Sequence, residues 1–133
     1  MWTPWDAWRE QAVGVALGSG GAKGLSHISV LEYIDSLEIP IHYIAGSSIG
    51  ALVGAMYSFG ALEKFKAQIT RMEGSEMLSY VDLVMPRHGL VKGQRVYDLL
   101  EPFIPRDARI EDAPIPLAIV ATEYYSGRPV VFR

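Results

Sequence analysis

From residue 12 onward, apolar residues follow two rhythms. Short apolar runs end in glycine or proline, and between them apolar residues return every third or fourth position. The short runs read as buried strands and the periodic stretches as helices with one face on a core. Residues 12–17, with Val13 and Val15, predict a first strand. A glycine-rich loop follows, Gly18-Ser19-Gly20-Gly21-Ala22-Lys23-Gly24. Over residues 25–37, Leu25, Ile28, Leu31, Ile34 and Leu37 share one helical face, and Pro40 closes the segment. Residues 41–45 predict a second strand whose turn holds Gly46, Ser47 and Ser48. The next helix carries Ile49, Leu52, Val53, Met56 and Phe59 on one face and stops at Gly60, an expected C-terminal cap. Residues 62–72 predict a further helix through Leu62, Phe65, Ile69 and Met72.

Residues 75–92, broken by Pro86 and Gly89, read as loop-rich. Residues 94–103 predict a helix through Val96, Leu99, Leu100 and Phe103. Residues 117–121 predict a third buried strand, Gly127 a turn, and residues 130–132 the start of another strand. Strands alternating with helices imply an α/β fold with a mainly parallel sheet. Such sheets normally carry helices on both faces. A three-layer α/β/α domain is therefore expected, incomplete at the C-terminus because the last strand reaches Arg133. The expected organisation is an N-terminal arm over residues 1–11 and one domain over residues 12–133. Trp2, Trp5 and Trp8 recur every third residue in the arm. They read either as packing on the protein itself or as an anchor at a lipid–water boundary.

The 133 residues suit one domain, and a composition half hydrophobic and one fifth charged is that of a globular chain. A formal net charge of -3 argues against nucleic acid as a partner. The absence of cysteine excludes disulfide scaffolds, cysteine-ligated zinc and thiol catalysis. No signal peptide or apolar span is legible, so the expected setting is the cytoplasm, with peripheral membrane contact through the tryptophans as a second reading. No His or carboxylate cluster has metal-ligand spacing, and no metal or other cofactor is expected.

Two motifs carry chemistry. Gly46-Ser47-Ser48-Ile49-Gly50 fits G-x-S-x-G, and between a strand and a helix this pattern forms a nucleophile elbow. The turn exposes the Ser48 hydroxyl, small residues two positions either side admit the close strand–helix approach, and the helix dipole favours developing negative charge. The second motif is the glycine loop. A Walker loop ends in Gly-Lys-Ser/Thr, whereas Lys23 here precedes Gly24. A dinucleotide fingerprint requires glycine where Lys23 stands and an acidic residue where Ala45 ends the second strand. An oxyanion hole built from backbone N–H groups of Gly20, Gly21, Ala22, Lys23 and Gly24 explains the loop better.

A glycine-rich loop after the first strand, ending Gly20-Gly21-Ala22-Lys23-Gly24, then G-x-S-x-G after the second, resembles the patatin-like phospholipase family. Gly24-Leu25-Ser26-His27-Ile28 and Val120-Ala121-Thr122 also resemble its bacterial members. The resemblance implies a patatin-like α/β fold and a serine lipid acyl hydrolase acting on a lipid or other ester. Ser48 would be the nucleophile of a Ser-Asp dyad. The sequence departs from the family at Ser19, where members usually carry glycine. It departs again in the dyad, whose Asp the family follows with Gly-Gly or Gly-Ala. None of Asp6, Asp35, Asp82, Asp98, Asp107 and Asp112 is followed by glycine. The dyad Asp is therefore expected beyond Arg133, and these residues alone are expected to be inactive. His27, His42 and His88 do not follow the nucleophile in α/β-hydrolase order and read as structural or surface residues. A non-catalytic regulatory or interaction protein on the same fold is the alternative reading. Oligomeric state is not legible.

Overall fold

In the computed structural model, residues 11–76 and 93–133 are described, the side chains of the second stretch from Tyr97 onward. The tryptophans of the arm lie outside them, as does the loop-rich reading of residues 75–92 from residue 77 onward, with His88; residues 75 and 76, read as loop, are helical. The chain runs β1 (Gly14–Leu17), a 3-10 turn (Gly21–Leu25), α1 (Ser26–Ser36), β2 (Tyr43–Gly46), α2 (Ile49–Ser58) and α3 (Leu62–Thr70). It continues with α4 (Gly93–Leu100), a short 3-10 turn (Ile110–Asp112), β3 (Leu117–Thr122) and β4 (Pro129–Phe132). The sheet order is β1-β2-β3-β4. The β1–β2 and β2–β3 pairs are parallel and β3–β4 is antiparallel. The expected α/β fold with a mainly parallel sheet is what the chain adopts.

Two parallel crossovers step the same way across the sheet, which places their helices on one face. That face carries Leu17, Ile44 and Leu117, and it buries Ile28 and Leu31 of α1, Val53 and Met56 of α2, and Phe65 and Ile69 of α3 in one cluster. Phe103 closes the cluster edge-on to Phe65, ring centres 5.4 Å apart and planes at 89°. α2 lies flat on the sheet because two of its residues have no side chain. A Cβ on Gly50 would stand 2.2 Å from the Leu17 carbonyl oxygen, and one on Gly54 2.8 Å from the Ile44 Cγ2. Polar ties bind α1 to its neighbours. The Tyr57 hydroxyl donates to Asp35 at 2.5 Å, and Lys66 reaches both Glu32 oxygens at 2.8 Å. Burial pushes the Tyr57 phenol above its ordinary range, and the hydrogen bond and charge of Asp35 add to the shift.

The described residues trace the sheet and one helical layer. On the opposite face the register sets Ala16 beside Ala45 and Ala45 beside Ala118, with Tyr43, Val120 and Val131 exposed. Among the described residues no helix is long and apolar enough to cross a membrane.

Among the boundaries that differ from the hydrophobic pattern, three have a plain physical reason. α4 ends at Leu100 rather than Phe103, since Pro102 disfavours helical backbone at Glu101. β2 starts at Tyr43 rather than Ile41: the His42 ring, not a strand carbonyl, accepts the Val13 N–H at 3.0 Å. The glycine loop is open only to Gly20, and Gly21–Leu25 then coil as a 3-10 turn leading into α1.

Candidate active site

Leu17 and Gly46, the last residues of β1 and β2, are register partners. Both motifs therefore leave adjacent parallel strands at the same sheet edge, where open α/β sheets bind ligands. Glycine at position 46 is required sterically, because a Cβ there would lie 2.5 Å from the Gly50 carbonyl oxygen. Ser48 follows at φ 56°, ψ -128°, as the residue preceding α2. For a residue with a Cβ this left-handed backbone is strained, and it is the turn by which an elbow lifts its side chain out of the strand-to-helix path. Ser48 is exposed, while Ile49 beside it is 1% exposed. Its carbonyl accepts the Ala51 and Leu52 N–H groups at 3.0 and 3.2 Å, which starts α2 directly behind it. The positive end of the helix dipole therefore lies at Ser48.

Three contacts press the glycine loop onto this elbow. The Ser47 N–H donates to the Leu17 carbonyl at 3.1 Å. Gly50 packs on the Leu17 and Gly18 carbonyls, leaving no room for a Cβ. Gly24 is buried against Ile49, whose Cγ2 would stand 2.0 Å from a Cβ at position 24. Ser48 sits between two residues that both touch the loop strand or its turn. Gly21 takes φ 54°, where glycine is at ease, and Ala22 and Lys23 are exposed. The first N–H groups of a short 3-10 turn have no acceptor within it, so this turn offers donors at its Gly21 end.

Of the three histidines, His42 spans the starts of β1 and β2 through Val13, a structural placement. His27, in the first turn of α1, lies 2.8 Å through Nε2 from the Gly18 carbonyl oxygen. Its position beside the loop was legible; the bond was not, because it depends on how the chain turns after β1. Among the described residues no group of three or more His, Asp or Glu side chains could hold a metal ion.

The model of a family described as patatin-like phospholipase matches residues 15–131. An uncharacterised NTE family protein of Mycobacterium bovis is 34% identical over 121 residues, covering 91% of this chain and 33% of that protein. A lysophospholipase of Kluyveromyces lactis is 36% identical over 111 residues, covering 77% of this chain and 7% of the relative. A lysophospholipase of Candida glabrata is 43% identical over 68 residues, covering 45% of this chain and 4% of the relative. The chain thus spans about a third of the mycobacterial protein and far less of the fungal ones. With the family match running from β1 into β4 across both motifs, the chain belongs to the patatin-like phospholipase family.

Proposed function

We propose that this chain carries the nucleophile and oxyanion loop of a serine lipid acyl hydrolase. The observation that carries the reading is the Ser48 backbone, left-handed and exposed before α2, with the glycine loop packed on the residues at either side. Ser48 Oγ attacks the ester carbonyl and gives its proton to a carboxylate base. Backbone N–H groups of Gly20, Gly21, Ala22, Lys23 and Gly24 hold the resulting oxyanion. Collapse expels the alcohol, which takes up the proton, and leaves an acyl-serine. Water attacks the acyl-serine, the base takes the water proton, and the free acid leaves with Ser48 restored. These steps use protein groups and water alone. The base is the Asp of a Ser-Asp dyad, provided from outside these 133 residues, since none of the chain's own Asp residues precedes glycine.

The fungal relatives, named lysophospholipases, support a lipid ester as substrate. The working location is the cytoplasm or a membrane surface reached from it, with the tryptophan arm as the candidate contact. A fluorophosphonate probe on the full-length protein tests the nucleophile. Labelling is expected to disappear in Ser48→Ala, and labelling that survives would overturn the assignment. Residues 1–133 alone are expected to show negligible ester turnover. Turnover by them that Ser48→Ala abolishes would place the base within the chain. The missing Asp-Gly pair also supports a second reading, a non-catalytic interaction protein. Absence of labelling in the full-length wild type would favour that one.

A further inference from the structure

We infer that His27 is a positioning residue for this hydrolysis, clamping the Gly18 carbonyl and thereby fixing the direction of the oxyanion-loop donors. The inference rests on the reading of Ser48 and the glycine loop given above. A carbonyl only accepts, so the Nε2 that lies 2.8 Å from the Gly18 oxygen carries the proton. The ring has a firm foothold: His27 is the second residue of α1, and Ile28 and Leu31 behind it are in the core.

The loop needs such a clamp because packing on the elbow holds it only at its two ends, where the Gly18 carbonyl meets Gly50 and where Gly24 meets Ile49. Gly18, Ser19 and Gly20 are exposed, and a Cβ built on Gly18 or Gly21 would meet nothing within 4 Å. A glycine-rich segment with few side-chain neighbours wanders through many backbone states unless hydrogen bonds choose one. At its far end Gly24 is pinned on Ile49. At its near end the Leu17 carbonyl is tied to the elbow through Ser47, and the Gly18 carbonyl is tied to α1 through His27. The peptide group is planar and trans, so fixing the Gly18 oxygen also fixes the Ser19 N–H on the opposite side. That peptide begins the segment leading to the Gly20 and Gly21 donors. The same oxygen lies against Gly50, so loop, first helix and elbow helix meet at one carbonyl.

Because Gly18 is exposed, water can replace the ring, and the fold is expected to tolerate the loss. The catalytic geometry is not: displacing a reacting group by about 1 Å costs on the order of 100-fold in rate. In the full-length protein, His27→Leu and His27→Met are expected to lower kcat on a p-nitrophenyl alkanoate by about 10- to 100-fold with KM within about twofold. His27→Gln puts an amide N–H where Nε2 stands and is expected to restore kcat to within about threefold of wild type. A trifluoromethyl ketone, which forms an oxyanion on the serine, is expected to lose affinity in proportion to kcat. Wild-type kcat in both donor-less variants would overturn the inference, as would His27→Gln being as slow as His27→Leu. Donor-less variants that fail to fold, or melt more than about 5 °C lower, would make His27 a structural residue and also overturn it. Fluorophosphonate labelling separates the two levels. Labelling that survives Ser48→Ala removes the parent reading and this inference together. Labelling lost in Ser48→Ala, with kcat unmoved at position 27, removes only the role of His27.

Discussion

At Ser48 the backbone angles, φ 56° and ψ -128°, are close to the mirror image of an ordinary extended conformation. Glycine populates that mirror region freely, whereas a side chain there costs about 1–3 kcal/mol. A glycine also loses about 0.4–1 kcal/mol more chain entropy on folding than alanine. The strain exceeds the entropy, so Ser48→Gly is expected to be about 1 kcal/mol more stable than Ser48→Ala, although both lack the hydroxyl. Urea unfolding of the two variants measures the difference, and alanine equal to or better than glycine would mean the elbow is not strained. Much of this site was legible beforehand. Ser48 and its flanking Gly46 and Gly50 stand out because only small residues admit the crossing of β2, α2 and the end of β1, and that requirement is written in residue type. The contact of Gly24 with Ile49 and the bond of His27 to Gly18 were not legible. Each joins segments whose relative placement exists only after the sheet has formed.

Among the elements, those with strong periodicity are legible in the sequence and those set by backbone detail are not. α2 and α3 begin at the positions their apolar spacing indicates, because one face of each is buried in the common core. The 3-10 turn at Gly21–Leu25 has no such pattern, since four of its five residues leave little apolar side chain to repeat. The antiparallel pairing of β4 was equally hidden in composition and follows from the tight turn after β3. That turn is organised by Glu123, whose carboxylate accepts the Tyr125 N–H at 2.8 Å and the Ser126 N–H at 2.7 Å. The Ser126 hydroxyl bond first, then these two amides, lower the carboxyl below its ordinary value of 4.5. A group whose folded pKa is depressed stabilises the folded form above its unfolded pKa and loses that effect as pH falls through the folded value. Order in the β3–β4 turn is therefore expected to be intact at neutral pH and to fade only below pH 4.5. The amide shifts of Tyr125 and Ser126 against pH measure it. A midpoint at or above 4.5, or a transition that persists in Glu123→Gln, would contradict the assignment.

Across the whole molecule, burial and pairing are distributed unevenly, and the candidate site sits on the boundary. α2 packs on all three parallel strands, on the 3-10 turn, on α1 and on α3. β2 is hydrogen-bonded on both sides, by β1 and β3. β4, in contrast, pairs on one side in the described sheet, and all four of its residues are exposed. Opening β2 or the body of α2 means taking apart the cluster around Ile44, Val53 and Met56, which is close to unfolding the whole. Opening β4 exposes little that was covered. Amide hydrogen exchange of the 133-residue chain is therefore expected to be slowest in β2 and α2, with β4 exchanging about 100-fold faster or more. The elbow divides the same way within a few residues. The Ala51 and Leu52 amides, bonded to the Ser48 carbonyl, belong with the protected core, while exposed Ser19 and Gly20 belong with the fast class. β4 amides as slow as those of β2, or Ala51 as fast as Ser19, would refute this distribution. The expected pattern gives Ser48 the most stable mounting in the molecule and leaves the glycine loop held by packing only at its ends. That asymmetry is why a single hydrogen bond from His27 carries weight on the loop side, where on the Ser48 side the burial of α2 already fixes the geometry.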